Sequence, residues 1–139
     1  MTHFISIKAH SKAKMQTVWD CFTQAQHVTG WNFASDDWFC PTAQNDLRPG
    51  GRFSYRMEAR DGSFGFELEG QFDTVEAPAS LSYHFDDDRR IEVRFTTTAT
   101  GTQVEQDFEP ESQNPREMQE QGWQAILNNF AAYCDRQMA

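Results

Sequence analysis

The chain has 139 residues, with 12 Lys and Arg against 21 Asp and Glu, for a formal net charge of −9. An acidic chain of this kind argues against a nucleic-acid backbone or an anionic membrane as partner, because both are held by basic patches. Three cysteines (Cys21, Cys40 and Cys134) with no C-x-x-C spacing fit a reduced compartment better than a disulfide framework.

The length fits one domain over residues 1–139, large enough for a core without disulfides or metals. Residues 1–8 lack the apolar run of a signal peptide, and no later stretch is apolar enough to span a bilayer. A cytoplasmic location is therefore expected. Residues 3–10 alternate, with Ile5 and Ile7 on one face and Ser6 and Lys8 on the other, which predicts a first strand. Met15, Val18, Trp19 and Phe22 then recur at helical spacing, and a second short helix follows over 25–30 with Gly30 as its stop.

Residues 31–41 fit no period. They carry Trp31, Phe33, Trp38 and Phe39 around the acidic pair Asp36-Asp37, in what reads as a loop. Such aromatic density in a loop calls for burial, as a lid or around a ligand.

A turn over 47–52 (Leu-Arg-Pro-Gly-Gly-Arg) opens a meander. Phe53, Tyr55, Met57 and Ala59 alternate with charged and polar residues up to the hairpin dipeptide Asp61-Gly62. Phe64, Phe66, Leu68, Gly70 and Phe72 continue the pattern, then Leu81, Tyr83 and Phe85, then Ile91, Val93 and Phe95. Val104, Gln106 and Phe108 close it. Strict alternation predicts an antiparallel sheet with one wet and one buried face. On the wet face, Arg52, Arg56 and Arg60 are expected opposite Glu67, Glu69 and Asp73, and Glu92 and Arg94 beside Glu105 and Asp107.

Residues 114–138 read as one long amphipathic helix. Asn114 is its expected cap, with Pro115 in the first turn and Glu117 completing a capping box. Met118, Trp123, Ile126, Leu127, Phe130, Ala131 and Cys134 are assigned to its apolar face. The pattern alone thus predicts an α+β fold: a curved antiparallel sheet wrapped around a long C-terminal helix, with two short helices after the first strand.

Several blocks carry a resemblance. Val18-Trp19 on a short helix, Thr23-x-x-x-His27 leading to Trp31, Leu47-Arg-Pro-Gly-Gly-Arg-Phe53, Asp61-Gly62, Phe66-x-x-x-Gly70 and Gly122-Trp-Gln-Ala-Ile-Leu-x-x-Phe130 occur in this order. The chain resembles the START-like (SRPBCC) superfamily, in its bacterial branch related to the C-terminal domain of the activator of heat shock protein 90 ATPase. The resemblance implies the helix-grip (START-like, Bet v-like) fold and a cavity between sheet and long helix. Placed on this chain, the implied lining is Trp31, Trp38, Tyr55, Met57, Phe66, Phe72, Tyr83, Phe95, Trp123 and Leu127. Such a cavity would be on the order of several hundred Å³. Gly122, in mid-helix, is expected to mark close backbone packing, with room for a ligand as the alternative.

Chemistry is sparse. Asp36 and Asp37 beside Trp38 are the candidate acid–base groups. His27 and His84 are expected at edges or in solvent, and Cys40 has no basic neighbour to activate it. No metal-ligand spacing occurs, and no cofactor is implied.

The leading expectation is a small apolar or aromatic ligand held in the cavity, with Tyr55, Tyr83, Trp31 and Trp38 as hydrogen-bond donors. The alternatives are a cyclase- or hydrolase-like enzyme using the same cavity and a chaperone-associated module. The surface is expected to be evenly charged, without an exposed apolar patch, which disfavours the chaperone reading. A homodimer is left open.

Overall fold

The computed structural model describes residues 4–137. His3 and Met138, at the outer ends of the predicted first strand and last helix, lie outside that range. In chain order the elements are β1 (Ile5–Ser11), α1 (Met15–Thr23), α2 (Ala25–Val28), β2 (Trp38–Phe39), β3 (Ala43–Asn45), β4 (Arg52–Ala59), β5 (Gly65–Glu76), β6 (Ser80–Phe85), β7 (Arg90–Thr98), β8 (Gly101–Phe108) and α3 (Arg116–Arg136). The sheet runs β1-β8-β7-β6-β5-β4-β2, with β3 also paired to β4. Each pairing is antiparallel.

The alternation of the sequence is the alternation of burial. Ile5 and Ile7 of β1, Ile91, Val93 and Phe95 of β7, and Val104, Gln106 and Phe108 of β8 are all buried. They line the face of the sheet that α1 covers at Phe95 and that α3 crosses, the 21 residues of α3 making a rod of about 32 Å. The sheet curves around this rod, which is the helix-grip arrangement. Phe108 stacks flat on Trp123, with ring centroids 4.0 Å apart and planes 8° from parallel. That contact fixes the rotation of α3 against β8, at a gain of about 1 kcal/mol beyond the area it buries.

Two details of α3 differ from expectation. The helix begins at Arg116 with Pro115 at its cap, and no side chain caps it. Asn114 instead donates to Glu111, and the buried Gln119 holds the same loop by donating to the carbonyls of Glu111 and Asn114 at 3.0 and 2.9 Å. Met118 is 58% exposed, whereas Gln119 is buried. The reason is geometric. Gln119 precedes Trp123 by four residues and shares its face, whereas Met118 precedes it by five and is turned away by about 140°.

The region 31–41 also contains more order than its composition suggests. Trp38 and Phe39 pair with Ala59 and Glu58 as a short edge strand, and residues 43–45 pair with 53–55. On the wet face only part of the expected pairing forms. Arg56 reaches Glu67 at 3.6 Å and Glu58 at 2.9 Å, and Arg94 meets Asp107 at 3.0 Å. Arg52 turns to Asp86, Arg60 to the carbonyl of Asp36, and Asp73 to His84. These pairs are solvent-exposed to varying degrees and add little stability.

The surface is not free of apolar patches. Phe64 is 61% exposed and Phe66 40%, and both rings meet Trp38 edge-on at 6.0 Å. The alternation that turns Leu68 and Phe72 inward continues to Phe66, but no helix covers that end of the β4–β5 hairpin.

Candidate functional site

Between the concave face of the sheet and α3 lies a largely enclosed cavity. Its walls come from β4 (Phe53, Tyr55), β5 (Leu68, Phe72), β6 (Leu81, Tyr83, Phe85), Gln106 of β8, and Trp123, Ile126 and Leu127 of α3. Phe22, Thr23, Trp31 and Asn32 close one end. About 90 Å³ is open to the centre of a water molecule. One water needs about 10–15 Å³ by that measure, so the space suits a single ring. It is smaller than the several hundred Å³ expected, because aromatic side chains fill that closed end. Phe22 stacks on Trp31 at 5.4 Å, and both meet Phe130 edge-on at 5.4 and 4.8 Å.

Six of the ten residues implied for the lining border this cavity: Trp31, Tyr55, Phe72, Tyr83, Trp123 and Leu127. The other four lie elsewhere. Trp38 and Phe66 form the aromatic patch at the hairpin end. Phe95 is packed between Trp19 and Phe22, at 5.8 Å from each. Met57 is buried, and its Sδ accepts from Asn32 Nδ2 at 3.5 Å. Phe95 and Met57 share the inward face of the sheet, but helix α1 and Asn32 stand over them.

The polar side chains that border the cavity are Thr23, Asn32, Tyr55, Tyr83 and Gln106, with Asn45 bonded to Tyr55 from outside the lining. Asn45 Nδ2 donates to Thr23 O at 2.7 Å and to the Tyr55 hydroxyl at 3.4 Å. Gln106 Nε2 donates to the Tyr83 hydroxyl at 3.3 Å. Trp31 Nε1 is committed to the carbonyl of Cys21 at 2.8 Å, so it offers the cavity no donor. Sequence reasoning overlooked Asn45 and Gln106. Gln106 carries a readable signal, a polar side chain on the inward parity of its strand. Asn45 carries none.

Burial pushes the Tyr55 hydroxyl up to about 12 and raises Tyr83 as well. The folded chain thus keeps a proton that the unfolded chain loses near pH 10. Stability held below pH 10 should fall as the pH rises towards 12, with about 1.4 kcal/mol lost through Tyr55 by pH 11. Urea midpoints at about pH 9 and pH 11 would check this, and Tyr55→Phe should shrink the difference between them.

Asp36 and Asp37 are exposed and do not border the cavity. Their backbone carbonyls accept from Arg60. Neither carboxylate is positioned to act on a molecule inside the cavity. Burial holds the Cys40 thiol up at about 11, which disarms it as a nucleophile. His27 Nδ1 lies 2.7 Å from the Tyr133 hydroxyl, and His84 pairs with Asp73 on the wet face. Among the described residues there is no group of three or more His, Cys, Asp or Glu that could hold a metal ion. Nor is any helix among them long and apolar enough to cross a membrane.

Gly122 borders open space: a Cβ built there meets nothing within 4 Å. Close packing is therefore not what it serves. Gly122→Ala should stabilise the protein by about 0.5–1 kcal/mol through helix propensity, read as a rise in thermal midpoint of a few degrees.

Comparison with known proteins fits this geometry. The family model described as Activator of Hsp90 ATPase homolog 1-like protein matches residues 12–135. The chain belongs to this family. An AHSA1-like protein from Aeromonas hydrophila, known from its solution structure, is 39% identical. The match covers 97% of this chain and 94% of that one, with a TM-score of 0.91. A protein from Cytophaga hutchinsonii is 38% identical, covering 96% and 93% of the two chains at a TM-score of 0.82. A protein from Nitrosomonas europaea shares the fold at 18% identity, covering 96% and 95% with a TM-score of 0.83. Among curated proteins, none matches. The AHSA1-like fold of these relatives is the START-like helix-grip arrangement built above from β1–β8 and α3.

Proposed function

We propose that this AHSA1-like chain binds a small apolar or aromatic molecule in the cavity between the sheet and α3. The observation that carries this reading is a ring-sized space walled by aromatic and aliphatic side chains, with only a few polar groups facing it. Trp31, Tyr55, Phe72, Tyr83, Trp123 and Leu127 would form the contacts. A thermal-shift screen of small apolar compounds, paired with native mass spectrometry of freshly purified protein, tests it. A binder at about 100 times its Kd adds about 2.7 kcal/mol and raises the melting temperature by several degrees. If no compound shifts the midpoint and no mass is retained, the cavity is packing space only. Catalysis through Asp36 or Asp37 is not favoured, since both carboxylates lie outside the cavity.

One observation favours a second reading, a chaperone-associated module. The exposed rings of Phe64 and Phe66 beside Trp38 form a patch of the kind that protein partners cover. Under this reading the chain alters a chaperone's ATPase rate and Phe64→Ser with Phe66→Ser abolishes the effect. An unchanged rate with the parent chain dismisses it.

A further inference from the structure

The hydrogen bonding of the cavity's two phenols bears on which molecules it would take; the inference rests on the ligand-binding reading above. Thr23 Oγ1 already donates to the carbonyl of Trp19 at 2.8 Å, and Asn32 Nδ2 to the sulfur of Met57. The hydroxyl oxygens of Tyr55 and Tyr83 are different: each accepts an amide N–H, from Asn45 and Gln106 respectively. A phenol that accepts at its oxygen still has its own hydrogen to give. Among the described residues, neither hydroxyl donates it to a partner. Both rings pack against the same side chain, Phe53, with centroids 5.1 and 5.3 Å from it, so the two rings belong to one wall.

Charge narrows the choice further. No Asp, Glu, Lys or Arg lines the cavity. An ionised ligand would be buried without a counter-charge, which is strongly unfavourable in apolar surroundings. A purely apolar ligand would cover two phenol donors and leave them unpaired, which is also unfavourable.

We propose that the cavity selects an uncharged, ring-sized molecule bearing a hydrogen-bond acceptor such as a carbonyl oxygen, which receives the O–H groups of Tyr55 and Tyr83. Burial keeps both hydroxyls protonated well above neutral pH, so they remain donors throughout the physiological range.

The test compares cyclohexanone with methylenecyclohexane, which replaces the carbonyl oxygen by a CH₂ group at nearly the same size. Cyclohexanecarboxylate serves as the charged probe. Titrations are followed by the side-chain amide resonances of Gln106 and Asn45, the groups that touch the two hydroxyls. The ketone should bind at least about tenfold more tightly than the alkene. In a Tyr55→Phe, Tyr83→Phe double variant that ratio should fall to about one. Should the double variant not fold, each single Phe variant should give an intermediate ratio. Equal binding of ketone and alkene overturns the acceptor assignment while leaving the cavity a binding site. Tighter binding of the carboxylate overturns the requirement for an uncharged ligand. If none of the three perturbs those resonances, the ligand-binding reading itself fails, and this inference with it.

Discussion

Phe130→Ala should cost about 4 kcal/mol and lower the thermal midpoint by about 10–15 °C. Phe130 is fully buried at the centre of α3, edge-on to both Phe22 and Trp31. Truncation removes the transfer energy of the ring and leaves a hole that its two stiff ring neighbours cannot collapse into. It also removes two favourable edge-to-face contacts. Chemical denaturation of the variant beside Phe64→Ala makes the measurement interpretable. Phe64 is largely exposed and should change stability by no more than about 0.5 kcal/mol. Similar losses at the two positions would mean that the Phe22–Trp31–Phe130 cluster does not hold α3 to α1 and the segment after α2.

The second large effect is expected at Gly70. This residue lies in β5, paired with Phe53 on one side and Phe85 on the other. A Cβ there would strike the backbone carbonyl of His84, and the Phe53 ring lies at 2.6 and 2.9 Å. The ring can move but the backbone cannot move cheaply, so Gly70→Ala should cost about 3 kcal/mol. The change should also be felt in the cavity. Phe53 packs against Tyr55, Phe72 and Tyr83, and a displaced Phe53 has the cavity as its nearest free space. Thermal melts would give the stability loss, and titration with an apolar ligand should show weakened binding beyond it. A variant as stable as the parent would mean that β5 adjusts its register around the added methyl.

The sheet and the long helix were legible in the sequence because each repeats a period over many residues. Phe53 to Ala59 and Ile91 to Phe95 alternate strictly, and Trp123, Leu127, Phe130 and Cys134 recur at helical spacing. The pattern is least informative where a period ends. Met118 was assigned to the buried face although it lies five residues from Trp123, and the buried Gln119 was passed over for being polar. Phe66 keeps the inward parity of β5, but parity says nothing about where the covering helix stops. The short strands at 38–39 and 43–45 escaped detection because two or three residues cannot show alternation; their order comes from β4. Of the implied lining, the residues under α3 lie at the cavity and those at either end of the sheet do not. Asn45 is the hardest case, since its position beside Tyr55 depends entirely on the pairing of β3 with β4.

The fastening of α3 is lopsided. Along one side it is tied to β1 and the turn that follows at three points: Arg116 to the carbonyl of Phe4, Gln124 to the carbonyl of Lys8, and Asp135 to Ser11 and Lys12. On the other side, Asn129 donates to the carbonyls of Trp31 and Phe33 in the segment after α2, and Tyr133 meets His27 of α2. Trp31 and Asn32, which close that end of the cavity, sit on the held segment. In mechanical terms the helix is tied to backbone along β1 and to side chains and loop carbonyls on the opposite side. Opening that end of the cavity would break these bonds together with that of Trp31 to Cys21 and that of Asn32 to Met57, so the segment and its rings would have to loosen as one unit.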